Sequence, residues 1–470
     1  MRDPKLHLEP ETRGEITHYG GLVLAQQFSR WLRVPQRIDE RVHVLKRHAP
    51  YHESDHILAM AYTLYVDGEC LEDQAALQGS EAVLRLLGAC RIPDPTTAGD
   101  FLRRFSSADV KDLETVVDEI GEAVWAKLSR NTRRRRKRDL ALVDLDGHVK
   151  DLYGVQKEGA QFTHDGRWAY QPLTITLAGT GECLRLINRP GNVRSSDGAG
   201  EALSEVLPGV CRHFKDVVVR GDSDFDRQDV LVAAQSAGAH FAVCGRLHAN
   251  RLALAQSIPE QAWTPFVPRA ERAQADTRQR QSRTPDCRQA AVQEKRWKNL
   301  RTTGQWLAEI PYHPAGLSKP CRMIVRRVRI EESRGQEVLF EHYRYRIVLT
   351  DLPRTHTPRQ IIDLTYQRCD QENLIAQLGE GIAAWRMPVA EFTGNAVWLQ
   401  IARLAWNMGK WIAQLALPEE VVRWQWKRFR QKFVYIAAKV IKAGRRIVVR
   451  LADSHPCMAE ILAAHARMQV

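Results

Sequence analysis

The stretch "KDVVVRGDSDFDR", Lys215 to Arg227, runs three valines and an arginine into Asp222, Asp224 and Asp226. Val217, Val218 and Val219 form a short β-branched run bounded by Gly221, which predicts a strand covered on both faces. The residues that follow, "DRQDVLVAAQSAG", space their apolar positions for a helix and stop at Gly238, a helix-terminating residue. The acidic cluster is therefore expected at a strand-to-helix turn. A calcium loop matches it at the first, third and fifth positions. However, Arg227 stands where that loop needs Gly, and Ala233 where it needs a bidentate Glu. Helix capping would employ one carboxylate, Asp224 or Asp226 by position, and leaves Asp222 to be explained.

Upstream, "LALVDLDG" has period two, so Asp144 and Asp146 fall on the same face of a predicted strand. Further strands are expected in "QPLTITLAG" and "CLRLINRPG", separated by a turn at Thr180 and Gly181. A helix over about 197–213 leads into the valine strand, and "HFAVCGR" supplies a fifth strand. Strand, strand, strand, helix, strand, with an Asp on the first and fourth strands, resembles the ribonuclease-H-like order. That resemblance implies that these two strands are neighbours whose carboxylates share metal ions.

With 470 residues the chain can bury a large core divided among several domains, and its formal charge of +13 suggests a polyanionic partner. A generic basic surface is the plainer account of the charge. Nine cysteines without a C-x-x-C pair argue against a zinc ribbon or a secreted disulfide framework. No signal-peptide core and no bilayer-length apolar stretch stands out, so a cytoplasmic, non-membrane protein is expected.

Residues from about 14 to 130 read as amphipathic helices, including "DHILAMAYTLYVDG" and "VLRLLGAC". Ser80, and Thr97 with Asp100, read as helix starts on either side of the proline turn "RIPDPTT". The second helix carries Arg103 and Arg104, which suits a helix-turn-helix reading DNA or a plain bundle equally. The run Arg133, Arg134, Arg135, Arg136, Lys137, Arg138 reads as a solvated linker or a phosphate contact. About a hundred residues after Leu247 begin with weak patterning and become strand-like in "CRMIVRRVRIEE" and "VLFEHYRYRIVLTDLP", an expected β-rich insertion. Trp297 within it is read either as core or as a residue that stacks on a flipped base. The C-terminal stretch interleaves Trp424, Trp426, Phe429 and Tyr435 with Lys and Arg, for DNA contact, dimerisation or packing on the catalytic domain.

"TPRQIIDLTYQRCDQENLIAQLGEGI" reads as one long helix with Arg368 and Glu372 four apart on one face. A surface ion pair is the commonest use of that spacing. Taken with Asp146 and Asp222, however, Glu372 completes an order that resembles the DDE transposases of bacterial cut-and-paste insertion sequences. The resemblance is closest to the branch with a β-strand insertion before the Glu, the insertion-sequence family numbered thirteen-eighty. It rests on "DLDGHVKDLYGVQKEGAQFTHDGRWAYQPL", "NRPGNVRSSDGAGEAL", "VVVRGDSDFD" and "YQRCDQENLIAQLGEGIAAWRMPVAEFTGNAVWLQIARLAWNMGKWI". The family signature Y-(2)-R-(3)-E-(6)-K is kept at Arg368 and Glu372. Thr365, followed by Tyr366, and Gly379 stand at its Tyr and Lys positions, and Gly147 stands where Ser or Thr is usual after the first Asp.

The resemblance implies Asp146, Asp222 and Glu372 as catalytic metal ligands, with Asp144 either a residue supporting them or an alternate ligand. It also implies Arg368 and Tyr366 as DNA contacts beside Arg103, Arg104, Arg133, Arg134, Arg135 and Arg136. Carboxylates suit two Mg²⁺ or Mn²⁺ ions rather than zinc. The partners implied are double-stranded DNA, as transposon terminal inverted repeats and target, and a second copy in a homodimer. A bacterial nucleoid location follows through the DNA. The architecture expected is multidomain α+β and α/β, with a ribonuclease-H-like mixed sheet flanked by helices. Its segments are a helical DNA-binding 1–132, catalytic 133–246, β-rich inserted 247–352, catalytic 353–415 and a basic, aromatic 416–470. A structure-specific nuclease of the same fold and a non-catalytic end-binding regulator are the alternatives.

Overall fold

The structure, a computed structural model, describes residues 16–136, 139–269, 272, 298–334, 337–444 and 446–469. The chain divides into two compact units: Met1–Arg135 with His148–Val193 and Glu372–Val470, and Arg136–Gly147 with Arg194–Gln371.

In the second unit the strand Asp216–Gly221 lies between two parallel neighbours. It pairs with Leu140–Gly147 on one side and His240–Gly245 on the other. Val217, Val218 and Val219 are all buried, and this two-sided cover is why the strand shows no polar alternation. Parallel neighbours need a crossover, and the helix Gln228–Ser236 supplies the one between Asp216–Gly221 and His240–Gly245. That helix ends where Gly238 adopts φ 76° and the Ala239 amide returns to the Ala234 carbonyl at 2.9 Å.

The insertion is not a separate β domain. Its strand Glu337–Thr350 pairs antiparallel with His240–Gly245, and Cys321–Arg334, Lys298–Tyr312 and Thr264–Pro265 follow outward in the same sheet. One apolar core joins Val218 and Ala242 to Ile324, Val348, Leu352 and Ile361, so the inserted strands share the interior of the acidic ones. Lys298–Tyr312 and the helix Ala249–Gln256 fall where the sequence pattern is weak. The single helix expected over 357–382 is two, Pro358–Tyr366 and Cys369–Ile382. The chain leaves helical geometry at Gln367, which frees the Arg368 side chain to donate to the Leu145 carbonyl at 2.6 Å.

The first unit is built on the helix Phe392–Ala416, buried along nearly its whole length, from Val397 and Trp398 to Trp411 and Ile412. It packs against the helices Glu53–Tyr65 and Ser107–Lys127 and the strand Glu182–Ile187. That strand forms the expected antiparallel hairpin with Leu173–Leu177. Glu182 is buried but satisfied, accepting from Trp125 Nε1 at 2.7 Å, Trp411 Nε1 at 2.9 Å and the Thr180 hydroxyl at 2.6 Å.

Ser80 caps the helix Glu81–Leu87 as expected. The next helix, Pro95–Leu102, starts earlier than Thr97. Asp94 is its cap, taking the Thr97 amide at 3.0 Å and hydroxyl at 2.6 Å, with Pro95 in the first helical position. Near the C-terminus, Trp426, Phe429 and Phe433 are buried on one face of the helix Trp426–Phe433, and Lys427 and Arg428 are exposed. Of the readings offered for Trp426 and Phe429, packing fits: they are core residues of an amphipathic helix. Among the described residues no helix is long and apolar enough to cross a membrane.

Candidate active site

The strands Leu140–Gly147 and Asp216–Gly221 are in parallel register, with Leu140 opposite Asp216 and Asp144 opposite Arg220. Asp146 lies two residues beyond Asp144 in its strand, and Asp222 two residues beyond Arg220, just past the carboxyl end of its own. Adjacent strands stand about 4.8 Å apart. Carboxyl ends of parallel strands are where open α/β sheets build their sites.

Asp144 is withdrawn from this edge. Arg220 grips it with Nε on Oδ1 and Nη2 on Oδ2, both at 2.6 Å, with the two side chains only 1% exposed. The remaining Nη1 donates to the Leu364 carbonyl at 2.6 Å. With both oxygens held by a buried bidentate pair, Asp144 fits the supporting reading and not the alternate-ligand one.

Asp224 and Asp226 are taken up in a similar way. Asp226, 4% exposed, is clamped by the Arg251 guanidinium and accepts the Arg246 amide at 2.7 Å. Asp224 meets Arg246 Nη2 at 2.9 Å. Neither caps a helix, as their positions had suggested. Asp222 does the capping: its Oδ1 accepts the Asp224 amide at 2.8 Å and closes the single 3₁₀ turn Ser223–Phe225. Its Oδ2 has no hydrogen-bond partner among the described residues.

Asp146 Oδ1 accepts the Gly147 amide at 2.9 Å, and Oδ2 lies 3.8 Å from Arg368 Nη2. Arg368 Nε is buried without a hydrogen-bond partner. A Cβ at Gly147 would meet Ser195 Cβ at 3.0 Å and Cα at 3.2 Å, so a larger residue there requires Ser195 to give way by a few tenths of an ångström. Cys244 belongs to the same surroundings: burial pushes its thiol pKa up, the Arg368 charge pulls it down and the Asp222 charge pushes it up again.

Glu372 is an exposed residue of the helix Cys369–Ile382. Arg368 precedes that helix. Tyr366 is half-buried, its phenol pKa raised by burial, with the Arg326 guanidinium 5.6 Å from its ring centroid.

Of the other basic candidates, Arg133 and Arg134 are exposed on the helix Arg130–Arg136. Arg136 is buried, its guanidinium 4.8 Å from the Phe214 ring centroid, and so acts in packing and not as an exposed phosphate contact. Arg103 is ion-paired to Asp100 at 2.9 Å and Glu391 at 3.4 Å, and Arg104 is exposed. The Arg135 side chain, Lys137, Arg138 and Trp297 lie outside the described residues. Sequence reasoning missed Arg220, Arg246 and Arg251. The one signal available was an arginine inside the run "VVVRG", where a charge demands a buried partner.

The family described as transposase DDE domain group 1 matches residues 5–470. The chain belongs to this family of DDE transposases. Members generally use divalent metal ions. No curated protein matches the sequence. Among solved structures, a piggyBac transposase synaptic complex with hairpin DNA is similar at 10% identity and a TM-score of 0.29, over 98% of this chain and 87% of that one.

Proposed function

We propose that this DDE transposase cleaves DNA at transposon ends and joins those ends to target DNA, with Asp146, Asp222 and Glu372 holding two Mg²⁺ or Mn²⁺ ions. The observation that supports the reading is the parallel pairing of the two strands that lead to Asp146 and Asp222, while arginines occupy Asp144, Asp224 and Asp226. An all-carboxylate donor set fits hard, oxygen-seeking cations, and the unengaged Oδ2 of Asp222 supplies a donor atom. When bound, such ions activate an attacking oxygen and stabilise the leaving one in an in-line displacement at phosphorus.

The protein's own groups do the positioning. The Asp224 amide fixes the Asp222 carboxylate, the Asp144–Arg220 clamp holds the two strands in register, and Arg368 offsets the negative charge of Asp146. In this reading the exposed Arg133 and Arg134 meet phosphates, with Arg368, Arg104, Tyr366 and Arg135 assigned as further DNA contacts. The substrate is double-stranded DNA bearing terminal inverted repeats, and a homodimer bridges two ends. The ribonuclease-H-like fold and membership in the insertion-sequence family numbered thirteen-eighty belong to the same proposal.

The test is a cleavage and strand-transfer assay on DNA carrying paired terminal repeats, with Mg²⁺. Asp222→Asn is expected to abolish both reactions and to leave end binding within a few-fold of the parent. Cleavage by that variant at the parental rate would remove Asp222 from the site.

A further inference from the structure

We infer that the loop before the helix Glu53–Tyr65 forms a second, chemically distinct metal site, built by His48, His52 and Glu53 and suited to Zn²⁺. A ring nitrogen of each histidine and a carboxylate oxygen of Glu53 all lie within 4.8 Å of one another. All three residues belong to the first unit, and none belongs to the acidic site.

The Glu53 side chain is only 1% exposed, and a carboxylate is not buried without a use for its charge. Its Oε1 is fully employed, accepting the Val44 amide at 3.1 Å and the Leu45 amide at 2.9 Å. These bonds fix the carboxylate and aim Oε2 at His48 Nε2, 3.7 Å away. That distance is too long for a hydrogen bond. Ligands at about 2.0–2.1 Å from a tetrahedral zinc ion stand about 3.3 Å apart, so a small inward movement of the imidazole accommodates the ion.

The two amide donors to Oε1 are the outer-shell contacts that orient a metal-binding carboxylate. The His48 side chain is 49% exposed, so an ion has a route in. Two imidazoles and one carboxylate favour zinc over magnesium, in contrast to the all-carboxylate set of the acidic site. Three protein ligands leave the fourth position to water. The ion would tie the segment carrying His48 to the start of the helix Glu53–Tyr65, which Asp39 already anchors through the Ser54 amide and hydroxyl, both at 2.8 Å.

Full-length protein stripped with chelator and dialysed against micromolar ZnCl₂ in millimolar MgCl₂ provides the test. One equivalent of zinc is expected on the parent and on Asp222→Asn, because the acidic site is not involved. His48→Asn and His52→Asn are expected to bind it at least about tenfold more weakly, and to lose the visible absorption that Co²⁺ gives in a tetrahedral site. Zn²⁺ should raise the melting temperature of the parent but not of His48→Asn, whose exposed side chain is not needed for folding. No zinc on the parent, or equal binding by both histidine variants, overturns the site and leaves only a His48–Glu53 ion pair.

Discussion

Arg220 sits inside an otherwise apolar strand, where an unpaired charge would cost several kcal/mol, and its bidentate grip on Asp144 settles two matters at once. It neutralises the buried carboxylate, and it ties together the two paired strands that lead to Asp146 and Asp222. Arg220→Ala would strand Asp144 as a buried, uncompensated charge. A loss of about 3–5 kcal/mol is expected in urea unfolding. Replacing both partners with apolar residues of similar volume should recover most of it. A single variant that unfolds at the parental urea concentration would show that the pair does not carry the strand register. Nothing in local spacing distinguished Asp144 from Asp146, because both lie on one face of the strand. The partner that separates them is far along the chain.

The turn after Asp216–Gly221 is as important as the strand itself. A Cβ at Gly221 would meet Phe225 Cβ at 2.6 Å, and Phe225 is fully buried, so neither can give way cheaply. Gly221→Ala is expected to cost about 1–3 kcal/mol by overpacking. It should also lower DNA cleavage more than end binding, since relief moves the turn that presents Asp222. Unchanged cleavage alongside a measurable loss of stability would separate the turn from the chemistry. The strand, the turn and the helix Gln228–Ser236 were all legible from valine clustering, Gly221 and Gly238. The break between Pro358–Tyr366 and Cys369–Ile382 was not, because the apolar period runs through it, and the contact from Arg368 to Leu145 that accompanies it joins residues far apart in the chain.

At the scale of the molecule, the insertion behaves as part of the sheet it interrupts. Glu337–Thr350 pairs with His240–Gly245, and Ile324, Val348 and Leu352 share a core with Val218 and Ala242. Joining Arg246 directly to Pro353 should therefore abolish cooperative urea unfolding of the product, read by tryptophan fluorescence. An independent domain would be removable with the remaining transition intact, and that result would contradict the shared core.

The sequence by itself determined the short-range facts: the two acidic strands, the crossover helix and the hairpin. Each of these depends on neighbours within a turn or a pleat, where backbone periodicity and side-chain shape act directly. Only the tertiary structure decided which carboxylates arginines would neutralise, which aromatics would be buried and where the inserted strands would pair. Those outcomes depend on burial and charge compensation between residues distant in the chain, and no local pattern encodes such partners.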